Sequence, residues 1–343
     1  MNVTLNQAQN NFDGVRLILA VIVVFAHLAA LTNLAEFNIF ESIFDANFAV
    51  KCFFAISGFL VIKSYASSSS LLVFFEKRIR RIYPAYACAI LLSLIIGVCT
   101  TSLDLADFLK SEQTVKYVLT NLIFLNFLQP TLPSTFEGNP IQALNGSLWT
   151  IKVEVSLYFL IPFIFAIYKK FNAVLSAAII TFLSIFWAYF FDKYVGGDIG
   201  PQMSRQFPGQ LSYFALGALA AVNINAFKYQ SYFLVFSTFL FALARNSELR
   251  VIFEPFFYSS LVIYLSTRAL PNLHLGRFGD ISYGIYLYHF PIIQLLIYFK
   301  VFDISIYFGI IATFVLTITT AMCSWHFVEK IFLKRTSHYL KAT

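Results

Sequence analysis

Arg16 and His27 stand eleven residues apart near the start of the sequence, in a run that is otherwise apolar. If that run is helical, eleven steps of ~100° return to within about 20° of the starting direction. The two side chains then share one helix face, about 16 Å apart along the axis at ~1.5 Å per residue. A guanidinium binds and orients anions. An imidazole with an ordinary pKa near 6.5 accepts a proton from a hydroxyl at neutral pH, or takes an acyl group itself. One face therefore offers a fixed cation and, deeper in, an acid–base group. A histidine that only bonds a neighbouring helix would present the same spacing.

Other polar side chains interrupt apolar runs, and inside a membrane an ionisable group costs about 2.5–3.5 kcal/mol to insert. Lys51 lies near one end of the second apolar run. Lys152 and Glu154 lie in the fourth, two residues apart, and so do not face each other on a helix. Glu154 needs another partner, and Arg16 and His27 are candidates; a structural contact between helices is the alternative. In FFEKRIRRIYPAY, residues 74–86, the cations Lys77, Arg78, Arg80 and Arg81 precede Pro84. They either anchor a cytoplasmic loop or dock a phosphate, which Arg binds with its planar fork. In GDISYGIYLYHFPI, residues 279–292, Ser282, Tyr286 and His289 fall at i, i+4 and i+7. They form a polar stripe that lines a cavity or bonds neighbouring helices. His326 reads as interfacial, and His274 and His338 carry no signal. No metal-ligand spacing is found.

The elements that must position these groups are membrane helices. Of 343 residues, 59% are hydrophobic and only 12% charged, against about 25% charged in soluble domains. Mean hydropathy is +0.74, so the solvent around most of the protein is lipid. A helix crosses the hydrocarbon with about 20 apolar residues. The candidates are 15–32, 47–65, 82–99, 148–168, 173–191, 207–224, 230–245, 251–268, 280–299 and 304–328, which predicts an all-α bundle of about ten transmembrane helices. Residues 1–343 read as a single membrane domain with a short cytoplasmic tail at 329–343. The first run is too acidic before its apolar stretch, with Asp13 and one base, to be a signal peptide.

An eleventh apolar run, 115–128, is short and holds Asn121 and Asn126. Cytoplasmic loops carry the excess of Lys and Arg. If 115–128 does not cross, then Lys63 with 77–81, Lys169 and Lys170, Lys228, Arg268 with Arg277, and Lys330, Lys334 and Arg335 all fall on one side, with Arg205, Arg245 and Arg250 left on the other. We therefore read 115–128 as re-entrant or interfacial and both termini as cytoplasmic. The net charge of +7 then reflects these loops rather than a nucleic-acid surface. Cys52, Cys88, Cys99 and Cys323 lie in or beside apolar runs and read as small buried residues.

In combination these segments resemble acyltransferase family 3, the integral-membrane O-acyltransferases. FDGVRLILAVIVVFAH (12–27) is similar to the family's opening, with Arg, ten residues, then His. AVKCFFAISGFLV (49–61) resembles its second-span signature around Ser57 and Gly58. RIRRIYP (78–84) is similar to its Arg-x-x-Arg pattern through Arg78 and Arg81. SLWTIKVEVSLYFLIP (147–162) resembles another signature through Ser147, Trp149, Glu154 and Tyr158. ISYGIYLYHFP (281–291) resembles its Ser-Tyr to His-Pro ending. Leu157 stands where an aromatic is usual, and Lys77 where a second Arg is common.

The resemblance implies a ten-helix bundle and an acyl-CoA donor, usually acetyl-CoA, with no metal. It implies a hydroxyl acceptor on a carbohydrate or lipid-linked glycan and a catalytic His27 and Arg16. On this reading Glu154 orients His27, Lys77, Arg78 and Arg81 meet the CoA phosphates, and Ser57, Ser147, Trp149, Ser282, Tyr286 and His289 line the cavity. The expected place is a bacterial inner membrane, and the activity is acetyl transfer to a cell-envelope or exported glycan. Any esterase-like periplasmic partner would be a separate protein. The rival readings are a multi-span transporter of a glycan or metabolite, and an inactive scaffold of the same fold. The transporter lacks visible inverted repeats; the scaffold is at odds with the retained Arg16 and His27.

Overall fold

A computed structural model describes residues 11–223, 229–269 and 279–333. His274, His338, Lys228, Arg277, Lys334, Arg335 and most of the 329–343 tail lie outside the described residues. Every described element is helical. We number the ten principal helices α1 (Phe12–Thr32), α2 (Ala46–Ala66), α3 (Leu71–Thr100), α4 (Trp149–Lys170), α5 (Ala173–Tyr194), α6 (Phe207–Val222), α7 (Gln230–Leu243), α8 (Arg250–Tyr264), α9 (Ile281–Tyr298) and α10 (Ile306–Ser324). All ten expected spans fall on one of these. Among the described residues, seven helical stretches are long and apolar enough to cross a membrane, those carrying α1, α2, α3, α4, α5, α9 and α10. Helices α6, α7 and α8 have 16, 14 and 15 residues. A five-residue π-turn, Leu265–Ala269, lengthens α8.

The helices turn apolar surface outward. Leu175, Phe182 and Phe186 of α5 are 62%, 67% and 59% exposed. Such a surface is stable only against hydrocarbon, which makes this a multi-pass membrane protein. Cys52 is buried, as the sequence predicts, and Cys88 is partly buried. Cys99 and Cys323 are exposed instead, because a thiol is apolar enough to face lipid.

Two boundaries differ from the sequence reading. Helix α3 has 30 residues, about 45 Å at ~1.5 Å per residue, longer than the ~30 Å hydrocarbon. Lys77, Arg78, Arg80 and Arg81 therefore sit on its first turns, not in a loop. Pro84 inside α3 did not end the helix, since membrane helices tolerate proline where neighbours satisfy the freed backbone groups. The run at 115–128 holds an eleven-residue helix, Glu112–Leu122, about 16 Å long and too short to cross. It is tied to α3 by the Tyr86 hydroxyl, which donates to the Asn121 carbonyl at 2.7 Å.

The contacts gather into two compact units. The first comprises Met1–Leu19, Asn47–Phe74 and Val153–His274; the second comprises Ala20–Ala46, Phe75–Lys152 and Leu275–Thr343. In the first unit α6 packs on α5 and α8, and α7 on α8. Helices α2 and α6 meet backbone to backbone. A Cβ on Gly58 would collide with the Phe214 carbonyl, and one on Gly217 with the Ala55 carbonyl. Small residues at such crossings let membrane helices approach closely. Gly58→Ala is therefore expected to destabilise this unit by about 1–3 kcal/mol, read as a lower melting temperature in detergent; an unchanged midpoint would refute the close crossing.

In the second unit α9 is the buried centre. Its span is 78% buried, against 22% for Ile306–Phe332, so α9 lies inside this unit while α10 turns most of its surface to lipid. Helix α9 contains Pro291, which cannot donate to the Leu287 carbonyl one turn earlier. The Asn145 side chain donates to that carbonyl instead, at 2.8 Å.

Candidate active site

His27 faces α9. Its Nδ1 lies 2.7 Å from Nε2 of His289, and the two rings stack with centroids 5.0 Å apart. His289 Nδ1 lies 3.0 Å from the Ile285 carbonyl oxygen. His289 is fully buried, at 0% exposure, whereas His27 is only partly buried. Of the two imidazoles, His27 is the less buried.

Neighbouring elements fix this pair. The Phe290 ring meets His27 edge-on with centroids 5.3 Å apart. Phe290 lies against Gly146, where a Cβ would come within 2.7 Å of its ring. A side chain at 146 would push the Phe290 ring out of this position. Asn145 holds that turn: its Oδ1 accepts from the Ser147 hydroxyl at 2.6 Å and from the Ser147 N–H at 3.2 Å. The Tyr286 hydroxyl and the Thr150 hydroxyl are 2.7 Å apart. One turn further along α9, Gln294 donates to the carbonyls of Ile141 and Ala143 at 2.6 and 2.8 Å and accepts from Asn139 at 2.9 Å. The 139–150 segment is thus bonded to α9 through buried amides and hydroxyls, each with a partner, which makes the surroundings of His27 rigid.

The sequence-predicted residues separate into groups. Tyr286 and His289 of the expected stripe share the second unit with His27, and each bonds a neighbouring element. Ser147 and Trp149 flank the same turn; Ser147 is buried and Trp149 opens α4. Ser282 donates to Asp280 at 2.5 Å. The sequence reading offered Glu154 as the group that orients His27. The group on the ring nitrogen of His27 is instead His289. Glu154, in the first unit, accepts from the Ser57 hydroxyl at 2.9 Å and from the Tyr158 hydroxyl at 2.5 Å. Arg16 lies on α1, an unbroken helix that also carries His27. Lys152 places its ammonium 4.5 Å from the centre of the Phe127 ring. Lys51 pairs with Glu254 at 2.5 Å, and Tyr213 donates to the same carboxylate at 2.6 Å.

The basic run on α3 divides in a way the sequence did not suggest. Arg81 pairs with both Asp280 and Glu329, and its guanidinium lies over the Tyr283 ring. Both acids are 2% exposed. Ser324 donates to Glu329 at 3.1 Å, and Tyr288 donates to Ser324 at 2.8 Å. The expectation that Arg81 meets a donor's phosphate thus encounters a guanidinium already shared by two carboxylates. Arg80 pairs with Glu76 at 2.9 Å. Lys77 and Arg78 are partly buried on the same turns.

Sequence reasoning missed Asn139, Asn145, Gln294, Asp280 and Glu329. Gln294, an amide inside an apolar run, was the available signal.

Among the described residues no group of His, Cys, Asp and Glu could hold a metal ion. The family model described as an acyltransferase domain matches residues 9–328. An O-acetyl transferase of Shigella phage Sf6 is 28% identical over 335 residues, covering 96% of this chain and 97% of its own. Nodulation protein 10 of Rhizobium leguminosarum bv. viciae is 29% identical over 363 residues, covering 96% of this chain and 95% of its own. No solved structure matches. With the matched region running nearly end to end, through the histidine pair and the apolar helices that hold it, the chain belongs to the acyltransferase 3 family of membrane acyltransferases.

Proposed function

We propose that this protein transfers an acetyl group from acetyl-CoA to a hydroxyl of a cell-envelope or exported glycan, with His27 as the group that does the chemistry. One observation carries the reading: a partly buried imidazole, His27, is backed by a fully buried one, His289, in the interior of a membrane protein. The similarity to the phage O-acetyl transferase supports acetyl as the transferred group and oxygen as the acceptor atom.

In this mechanism the thioester carbonyl lies beside His27. Its free ring nitrogen takes the proton of the acceptor hydroxyl as the oxygen attacks. The C–O bond forms, the C–S bond breaks, and the same nitrogen returns its proton to the departing thiolate. In the alternative sequence of steps, that nitrogen attacks the thioester first, forming a C–N bond as the C–S bond breaks and the thiolate leaves; the acceptor oxygen then attacks the acetyl carbonyl, the C–N bond breaks, and the hydroxyl proton ends on the thiolate. Arg16, three turns earlier on α1, orients the anionic donor, and Lys77 and Arg78 bind its phosphates. We assign both termini to the cytoplasm and the protein to a bacterial inner membrane, as one membrane acyltransferase domain.

The test uses purified protein in nanodiscs with acetyl-labelled acetyl-CoA and envelope glycan. Free CoA thiol and label on the glycan should appear together over many turnovers, sustained release requiring the acceptor. Arg16→Lys keeps the charge but loses the fork and should raise the KM for acetyl-CoA roughly tenfold. Movement of glycan across a sealed vesicle without label would identify a transporter and overturn the proposal.

A further inference from the structure

The hydrogen bonds around His289 determine which nitrogen of His27 reacts. His289 Nδ1 faces the Ile285 carbonyl oxygen at 3.0 Å. A carbonyl oxygen only accepts, so this nitrogen carries the proton. A neutral imidazole has one N–H, which leaves His289 Nε2 with a bare lone pair. That lone pair lies 2.7 Å from His27 Nδ1, so His27 Nδ1–H donates to it. The proton of His27 is then on Nδ1, and Nε2 keeps its lone pair.

We propose, on the reading above that His27 does the chemistry, that His289 is a positioning residue that holds His27 in its Nδ1–H tautomer and presents Nε2 to the substrate. The chain runs from the Ile285 carbonyl through the His289 ring to the His27 ring. It uses a backbone oxygen and a second imidazole where other enzymes use a carboxylate. His289 is suited to this because it is fully buried and cannot exchange its partner for water. It has a second consequence. When His27 takes a proton at Nε2 it becomes an imidazolium, and its Nδ1–H bond to the neutral acceptor of His289 strengthens. The pair accommodates the charge of the transition state without a buried carboxylate at this point. Phe290, edge-on to His27 and pinned by Gly146, keeps the ring from turning away.

The test compares three variants in the acetyl-CoA thiol-release assay. His289→Leu keeps the volume but removes the acceptor; kcat should fall at least about 100-fold, with the KM for acetyl-CoA within about twofold of the wild type. His289→Gln offers its side-chain carbonyl to His27 Nδ1–H and should recover kcat to within about tenfold of the wild type. A merely structural role would not separate Leu from Gln in kcat at equal melting temperature. Wild-type kcat in His289→Leu, or equal loss in both variants at equal stability, would overturn the proposal. His27→Gln, run alongside, separates the two ideas: if it is active, His27 is not the reacting group; if it is inactive while His289→Leu is normal, only the positioning role fails.

Discussion

Replacing His27 by Ala is expected to reduce acyl transfer about 10²–10⁴-fold. A positioned acid–base group contributes about 10²–10⁴-fold, and a covalent route through the ring loses more. The variant should still insert, because Ala suits the apolar helix α1 and removes only one ring. It leaves His289 Nε2 buried without its donor, a cost of about 1–3 kcal/mol. His27→Gln isolates the chemistry from that cost: its amide can donate to His289 but takes no proton at neutral pH. Both variants should show this loss, with Gln melting closer to the wild type. The measurement is label transferred to glycan by equal amounts of inserted protein. Transfer by His27→Gln within tenfold of the wild type would remove the imidazole from the mechanism.

The ten helices were legible in the sequence because lipid requires long apolar runs and admits little else. Their ends were less legible. The basic turns of α3 read as a loop because Lys and Arg concentrate in the cytoplasmic loops of membrane proteins. Helix α3 continues through them because its first turns extend past the hydrocarbon. The site residues divide along the same line. Arg16 and His27 announce themselves by a spacing local to one helix. Tyr158, the i+4 partner of Glu154, was within reach of the same reasoning. The partner of His27 was not, because it lies 262 residues away. His289 was visible as one member of a polar stripe, but a stripe shows which face is polar and not what it meets. The cluster around Arg81 was hidden for the same reason, with Asp280 and Glu329 lying 199 and 248 residues on.

Arg81→Met is expected to destabilise the protein by about 3–5 kcal/mol, the largest stability effect of any single side chain considered. The wild-type residue is one cation between two carboxylates that are each 2% exposed. Removing it takes the guanidinium from two buried acids that also accept hydroxyl hydrogen bonds, from Ser282 on Asp280 and from Ser324 on Glu329. A hydroxyl hydrogen bond does not repay the desolvation of a carboxylate. The damage should therefore be reversible by neutralising the acids. Arg81→Met combined with Asp280→Asn and Glu329→Gln should melt within a few degrees of the wild type, since removing a whole buried ionic group is often nearly neutral. Arg81→Lys should recover only part, because one ammonium lacks the fork that spans two acids. A residue that chiefly binds the phosphates of CoA behaves oppositely: Arg81→Met would then keep its melting temperature and raise the KM for acetyl-CoA. Thermal unfolding in detergent and acetyl-CoA kinetics on the same preparations decide between these two roles. The triple variant adds the sharper criterion, because neutralising Asp280 and Glu329 restores stability only if they are what Arg81 is there to hold.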